Sequence, residues 1–280
     1  MPELPEVETI ARGVDTRVRG DRVVEAWFSA QREPFKTPPA RQASGLAGRV
    51  FLSIHRAGKH IVCELGPPGA QERKETKADA QWIVHLGMTG RLLVVQPETP
   101  VEKHTHARLT LASGRELRFV DPRRFGRLEF RELERGPAFG APGVEPLTVG
   151  AKTFAELFRG RRTAIKAALL NQTLLAGVGN IYADESLFHA GIRPRRMAGR
   201  LTIAELECLR LSLKKVLRQA IRLGGSSVSD YVGADGERGF FQLEHFVYQR
   251  TAEPCRRCGT PIRRIVVAGR STHYCPQCQQ

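Results

Sequence analysis

No run of apolar residues in this 280-residue chain approaches the about eighteen that a membrane-spanning helix needs. Nor does an apolar segment of the secretory-leader type follow the N-terminus. These absences exclude a helical membrane protein and lead us to expect a soluble, intracellular chain. There is no internal repeat or low-complexity tract, which excludes a repeat array. Acidic residues are scarce: 29 Asp plus Glu stand against 44 Lys plus Arg, a net charge of +15. Such an excess predicts a polyanionic partner. With no membrane segment in evidence, that partner is nucleic acid rather than an acidic membrane surface.

Cysteine is also sparse, with six in all. Cys255, Cys258, Cys275 and Cys278 form two C-x2-C pairs sixteen residues apart, the spacing of a structural zinc site. Two disulfides are the other arrangement such pairs allow, and the reducing interior of a cell argues against it. Cys63 sits in the strand-like stretch Ile61-Val62-Cys63-Glu64-Leu65 and Cys208 in a helical one, so both read as packing residues.

Val7, Ile10, Ala11, Val14 and Val18 recur at helical spacing and predict a helix over 5–19, ended by Gly20. From there to about 130, eight short strand-like segments separated by turn residues predict a β-sandwich. They are Val23–Phe28, Val50–Ile54, His60–Leu65, Trp82–Leu86, Arg91–Val95, Ala107–Leu111, Glu116–Val120 and Arg127–Phe130. Residues 66–80 read as a long solvated loop. Residues 134–150, rich in glycine and proline, read as a linker between a domain 1–133 and a helical domain 151–240, followed by the cysteine segment 241–280. Helices are expected over 153–159, 163–170, 180–189 and 202–223, the last opened by the capping box Thr202-x-x-Glu205.

The terminus reads Met1-Pro2-Glu3-Leu4-Pro5-Glu6-Val7-Glu8. With Met1 removed, Pro2 would carry a secondary amine with a pKa of about 8, partly uncharged at neutral pH. Such an amine attacks an aldehyde or sugar carbon to give an iminium, with Glu3 beside it as acid or base. The plainer alternative is an acidic helix start favoured by the helix dipole.

Further segments decide between these. Gly58-Lys59, His85-Leu86-Gly87-Met88-Thr89-Gly90, Asp121-Pro122-Arg123-Arg124-Phe125-Gly126, Gly177-Val178-Gly179-Asn180 and the cysteine hairpin follow the terminus in order. Together they resemble the bacterial formamidopyrimidine-DNA glycosylases, with the endonuclease VIII-type enzymes as relatives. The resemblance spans virtually the whole chain. It implies an α+β multidomain fold: an N-terminal β-sandwich with flanking helices, then a helix–two-turn–helix domain with a zinc-finger β-hairpin. DNA would lie in the cleft between domains.

The resemblance also implies roles. Pro2 would be the nucleophile, Glu3 the general acid/base, Lys59 a pocket lysine and Arg270 a phosphate clamp and proton donor. His104, Arg162 and Asn180 would contact the DNA backbone. Met88, Arg123 and Phe125 would fill the void left by a flipped nucleotide, with core packing as the alternative for Met88 and Phe125. Lys152, Arg159, Arg161, Arg162 and Lys166 form a basic stretch before the glycine turn. Residues 225–231, with Ser226 and Tyr231, resemble a base-capping loop, whereas Glu6 reads as a structural carboxylate. The implied activity is excision of oxidised purines (8-oxoguanine, formamidopyrimidines) from double-stranded DNA, with cleavage at the abasic site by β,δ-elimination. The enzyme would be a cytoplasmic, nucleoid-associated monomer with one structural Zn2+. An oxidised-pyrimidine glycosylase of the endonuclease VIII type and a non-catalytic zinc-ribbon DNA-binding protein remain the alternatives.

Overall fold

The structure, a computed structural model, describes all residues except 32–33, 70–76, 227–232 and 235–238. Tyr231 and most of the 66–80 loop therefore lie outside the described residues. Two compact units are present: residues 1–140 with 224–239, and residues 141–223 with 240–280.

In the first unit, α1 (Leu4–Val18) is followed by β1 (Val23–Phe28), α2 (Pro39–Leu46), β2 (Val50–Ala57), β3 (His60–Gly66) and β4 (Ala80–His85). Strands β5 (Arg91–Val95), β6 (Thr105–Leu111), β7 (Glu116–Val120) and β8 (Arg127–Glu132) complete it. They form two four-stranded antiparallel sheets, β1-β6-β7-β5 and β2-β3-β4-β8. Inner-face side chains such as Phe51, Trp82 and Phe119 share one core with the apolar stripe Val7, Ile10, Ala11, Val14 and Val18 of α1. Burying that stripe is what fixes the helix against β2 and β3. Ala234 belongs to the same core, and its carbonyl accepts Val94 N–H at 3.1 Å. The 224–239 segment is thus tied to the sandwich unit.

The expected strands are all present, while α2 was not expected. Pro39 occupies the first helical turn of α2, where its missing N–H costs nothing. At the other end, Phe139 does not behave as a free linker residue. Its N–H donates to Gln81 Oε1 at 2.7 Å and its ring centroid lies 4.7 Å from that of His60.

The second unit holds α3 (Ala151–Phe158), α4 (Ile165–Leu170), α5 (Asn180–His189), α6 (Ile203–Arg222) and the hairpin β9 (Arg263–Val267)–β10 (Arg270–Tyr274). Thr202 and Glu205 form the expected capping box, with Thr202 N–H donating to Glu205 Oε2 at 2.8 Å. Leu206, Leu209, Leu213, Val216, Leu217 and Ala220 are buried, and α6 packs on α3 and α5. Cys63 is a core residue, but Cys208 is exposed on α6. The Cys208 position is polar-side, one residue before the buried Leu209, so the packing role expected for it is withdrawn. Among the described residues no helix is long and apolar enough to cross a membrane.

Candidate active site and nucleic-acid interface

Helix α1 starts at Leu4, with Glu3 as its N-cap. Glu6 Oε2 accepts Glu3 N–H at 2.8 Å, and its Oε1 accepts Ser226 N–H at 2.8 Å. A single buried carboxylate therefore ties the terminal peptide to the start of the 225–231 loop, the structural use expected of Glu6. Pro2 is buried and Glu3 is 4% exposed. Lys59 forms the β2–β3 turn with Gly58, whose φ of +61° suits glycine. At 9% exposed, Lys59 is no ordinary surface lysine. Arg56 joins these parts: its Nε meets Glu8 Oε2 at 2.8 Å and its Nη1 donates to Gly58 O at 3.3 Å. The first half of α1 is thereby fixed to the turn that carries Lys59.

Beyond the turn, the rings of His60 and His85 lie 4.8 Å apart. Desolvation, then the neighbouring His60 and Lys59 charges, pulls His85 down to about 4. His85 is therefore neutral at physiological pH, and its Nδ1 accepts Gly87 N–H at 3.2 Å. That bond shapes the start of the loop carrying Met88. Met88 is 41% exposed between buried neighbours, and Phe125 is 48% exposed. Core packing does not describe either. The Arg123 guanidinium lies 4.8 Å over the Phe125 ring. His104 is exposed, and its carbonyl accepts Asp121 N–H at 2.9 Å.

In the second unit, Arg270 is exposed as the first residue of β10, after a two-residue turn in which Ala268 and Gly269 have φ of +48° and +72°. Its neighbour Ser271 is held from two sides. Ser271 O accepts Asn180 Nδ2 at 3.0 Å and Lys166 Nζ at 2.8 Å. Lys166 also pairs with Asp184 at 2.7 Å, both fully buried, and Asp184 Oδ2 accepts His273 N–H at 2.8 Å. Lys166 is accordingly removed from the basic surface stretch; it is a structural cation inside the unit. Nothing in the sequence pattern marks this, because its partners lie 18 and 105 or more positions away. Arg162 is exposed in the α3–α4 loop. The glycine turn is braced by Gln172, whose Oε1 takes Gly177 N–H at 2.9 Å and whose Nε2 donates to Val178 O at 2.8 Å. Gly177 N–H is therefore engaged within the turn. The start of α5, capped by Gly179, is the part that presents partial positive charge at Asn180.

The four cysteine Sγ atoms lie within 4.8 Å of one another, with Cys255–Cys278 at 3.9 Å and Cys258–Cys275 at 3.5 Å. A disulfide requires about 2.05 Å, whereas tetrahedral zinc at about 2.3 Å gives S···S edges of about 3.8 Å. The cluster fits zinc. Arg257 N–H and Cys278 N–H each reach a sulfur at 3.4 Å, to Cys255 and Cys275, and favour the thiolate. Hydrogen bonds from Thr260 lower Cys258 to about 6, whereas burial raises Cys275 and pushes Cys278 up to about 12. One structural zinc ion, closed by four sulfurs, belongs here.

Three family models match the chain in order. They are the formamidopyrimidine-DNA glycosylase N-terminal domain over 1–128, the formamidopyrimidine-DNA glycosylase H2TH domain over 142–232, and the zinc finger found in FPG and IleRS over 252–280. A formamidopyrimidine-DNA glycosylase of Solibacter usitatus is 46% identical, with all of both chains covered. A mutant Lactococcus lactis FPG in complex with Fapy-dG-containing DNA is 35% identical, with a TM-score of 0.86 and all of both chains covered. The Lactococcus lactis Fpg complex with abasic-site DNA is likewise 35% identical, with a TM-score of 0.85 over 99% of each chain. The chain belongs to the formamidopyrimidine-DNA glycosylase family.

Proposed function

We propose that Pro2, Glu3 and Lys59 carry out the chemistry of this DNA glycosylase and abasic-site lyase, which removes oxidised purines in base excision repair. The observation that carries the assignment is the burial of Glu3 beside Pro2 at the terminus and of Lys59 in a turn that Arg56 ties to α1. A domain that only binds DNA has no use for a buried carboxyl beside a terminal proline and a buried lysine in a turn fixed to the same helix.

Removal of Met1 frees the Pro2 nitrogen. It bonds to C1′ of the damaged nucleotide as the bond from C1′ to the base breaks, and the base leaves with a proton that Lys59 helps deliver. Opening of the sugar ring and loss of the amine proton give the iminium. That cation acidifies the C2′ proton, whose removal expels the 3′ phosphate. Loss of the C4′ proton then expels the 5′ phosphate, and water releases Pro2. Glu3 serves as the acid and base beside the nucleophile. Arg270, on a hairpin made rigid by zinc, clamps a phosphate and supplies a proton to the final cleavage. His104, Arg162 and the α5 start at Asn180 contact the DNA backbone, while Met88, Arg123 and Phe125 occupy the gap left by the flipped nucleotide. Ser226 and Tyr231 belong to the loop that covers the flipped base. In domain terms the chain is a catalytic domain 1–133, a linker 134–150, a helical DNA-binding domain 151–240, whose 224–239 segment clusters with the sandwich unit, and a zinc finger 241–280. It works as a monomer in the cytoplasm, associated with the nucleoid through DNA.

A duplex bearing one 8-oxoguanine tests this reading. Free 8-oxoguanine and a one-nucleotide gap with phosphate at both ends are expected. Tight binding without base release would favour the zinc-ribbon alternative. A preference for oxidised pyrimidines over 8-oxoguanine would favour the endonuclease VIII alternative.

A further inference from the structure

The sandwich unit contains a buried carboxylate that none of these chemical steps uses. Asp121 follows β7 and is fully buried. Its Oδ1 accepts the Thr89 hydroxyl at 2.5 Å and Arg123 N–H at 3.3 Å, while its Oδ2 accepts Gly126 N–H at 2.8 Å. One side chain thus receives donors from two loops, 86–90 and 122–126, that are separated in sequence by the three strands β5, β6 and β7. Its backbone is fixed as well. Asp121 N–H donates to His104 O at 2.9 Å, and Asp121 O lies 3.0 Å from His106 Nε2.

The two loops also meet backbone to backbone. A Cβ built on Gly87 would stand 2.4 Å from the Phe125 carbonyl carbon, so only glycine allows this approach. Arg124 has a φ of +56°, a conformation that costs a non-glycine residue energy and persists only where its surroundings enforce it. Its N–H donates to Asp121 O at 3.3 Å. The exposed tips of these two loops are Met88, Arg123 and Phe125.

We propose that Asp121 is a positioning residue that joins the Met88 loop and the Arg123–Phe125 loop into one rigid wedge, with Thr89 as the strut between them. The inference rests on the reading of Met88, Arg123 and Phe125 as the residues that fill the gap in the duplex. Side chains on two independent loops would each have to be ordered as they enter the base stack. On a pre-joined support that ordering is already complete before DNA arrives, and more of the binding energy goes into opening the duplex. The carboxylate suits this use because it accepts three bonds at once, where an amide oxygen and nitrogen could not. Pro122 follows it and contributes no competing N–H.

The test compares two substrates with the full-length protein: a duplex carrying 8-oxoguanine, and single-stranded DNA carrying an abasic site. The second has no stack to open but needs the same Pro2 chemistry. Thr89→Val keeps the side-chain shape and removes only the strut. Losing a buried hydrogen bond to a charged acceptor should lower kcat/KM on the duplex ~10-fold or more, with cleavage of the single strand kept within ~2-fold. Thr89→Ser should restore the duplex rate, and Asp121→Asn should lose it at least as far as Thr89→Val. Equal losses on the two substrates for Thr89→Val, or full duplex activity, would overturn the proposal. Met88→Ala and Phe125→Ala separate the two layers of the inference. If both lose duplex activity while Thr89→Val does not, only the role of Asp121 fails. If both keep duplex activity, the gap-filling reading fails and the wedge with it.

Discussion

In the sandwich unit, the segments that carry the proposed site residues are held by buried carboxylates that collect backbone and hydroxyl donors. Glu6 holds Glu3 and Ser226 N–H, and Asp121 holds Thr89, Arg123 and Gly126. In the helical unit, the strand that carries Arg270 is anchored through Ser271 O to the buried Lys166–Asp184 pair and runs into Cys275 of the metal cluster. The difference follows from core size. The sandwich has two sheets and α1 around one large core, so hydrogen bonds alone suffice to hold its loops. The zinc hairpin buries only a small cluster, Phe188, Val247, Cys255, Ile262 and Cys275, and a core of that size does not fold a hairpin without a metal. The two units should therefore fail under different insults.

Zinc removal should have the largest effect. Structural zinc contributes on the order of 10–16 kcal/mol to small sites, so chelation or the pair Cys255→Ser, Cys258→Ser should collapse the hairpin and abolish DNA binding. Both tryptophans, Trp27 and Trp82, lie in the sandwich unit. Their fluorescence should stay native while binding is lost. Full DNA affinity in a protein shown to be zinc-free would break the comparison.

Next comes the buried ion pair. Lys166→Ala leaves the buried Asp184 without its lysine partner, which costs about 3–5 kcal/mol. Denaturant unfolding followed by far-UV circular dichroism should show that loss with the tryptophan transition unmoved. A change below about 1 kcal/mol would mean the pair does not hold the hairpin.

Salt dependence sharpens the comparison at the level of binding. If about five phosphates are neutralised by groups such as His104, Arg162 and Arg270, log K should fall with log[salt] at a slope of about −4 to −5. A slope shallower than about −2 would show that this surface is not the DNA interface.

Most of the fold was legible in the sequence because it rests on local periodicity. The eight strands and α6 with its Thr202–Glu205 box declare themselves within windows of a few residues. What stayed hidden depends on distant pairing. Lys166 looked like one more surface base because Asp184 and Ser271 come near only in the fold. Asp121 stood inside a conspicuous segment, but its partner Thr89 is 32 positions away. Helix α2 was hidden by its prolines, although proline at a helix start is a known favourable placement. The zinc site was the easiest to read, since four ligands at fixed spacing need no tertiary information.

The smallest effect expected is at the start of α6. Arg196, then the Thr202 backbone N–H, hold the Glu205 carboxyl at about 2, below its ordinary 4.5. A depressed folded-state value stabilises the protein above about pH 4.5, and that contribution is lost as pH falls through about 2. Glu205→Gln should flatten the acid limb of the stability curve of the helical unit slightly and leave neutral-pH activity unchanged. An unaltered acid limb would show that the box contributes nothing measurable.

The central claim is that the catalytic nucleophile is the nitrogen of Pro2. Borohydride reduction during reaction with 8-oxoguanine DNA converts the iminium to a stable amine, and peptide mass mapping locates it. The cross-link is expected on the N-terminal peptide, with Met1 absent and the sugar remnant on Pro2. Attachment at Lys59, or base release with no trapped complex, would contradict the account.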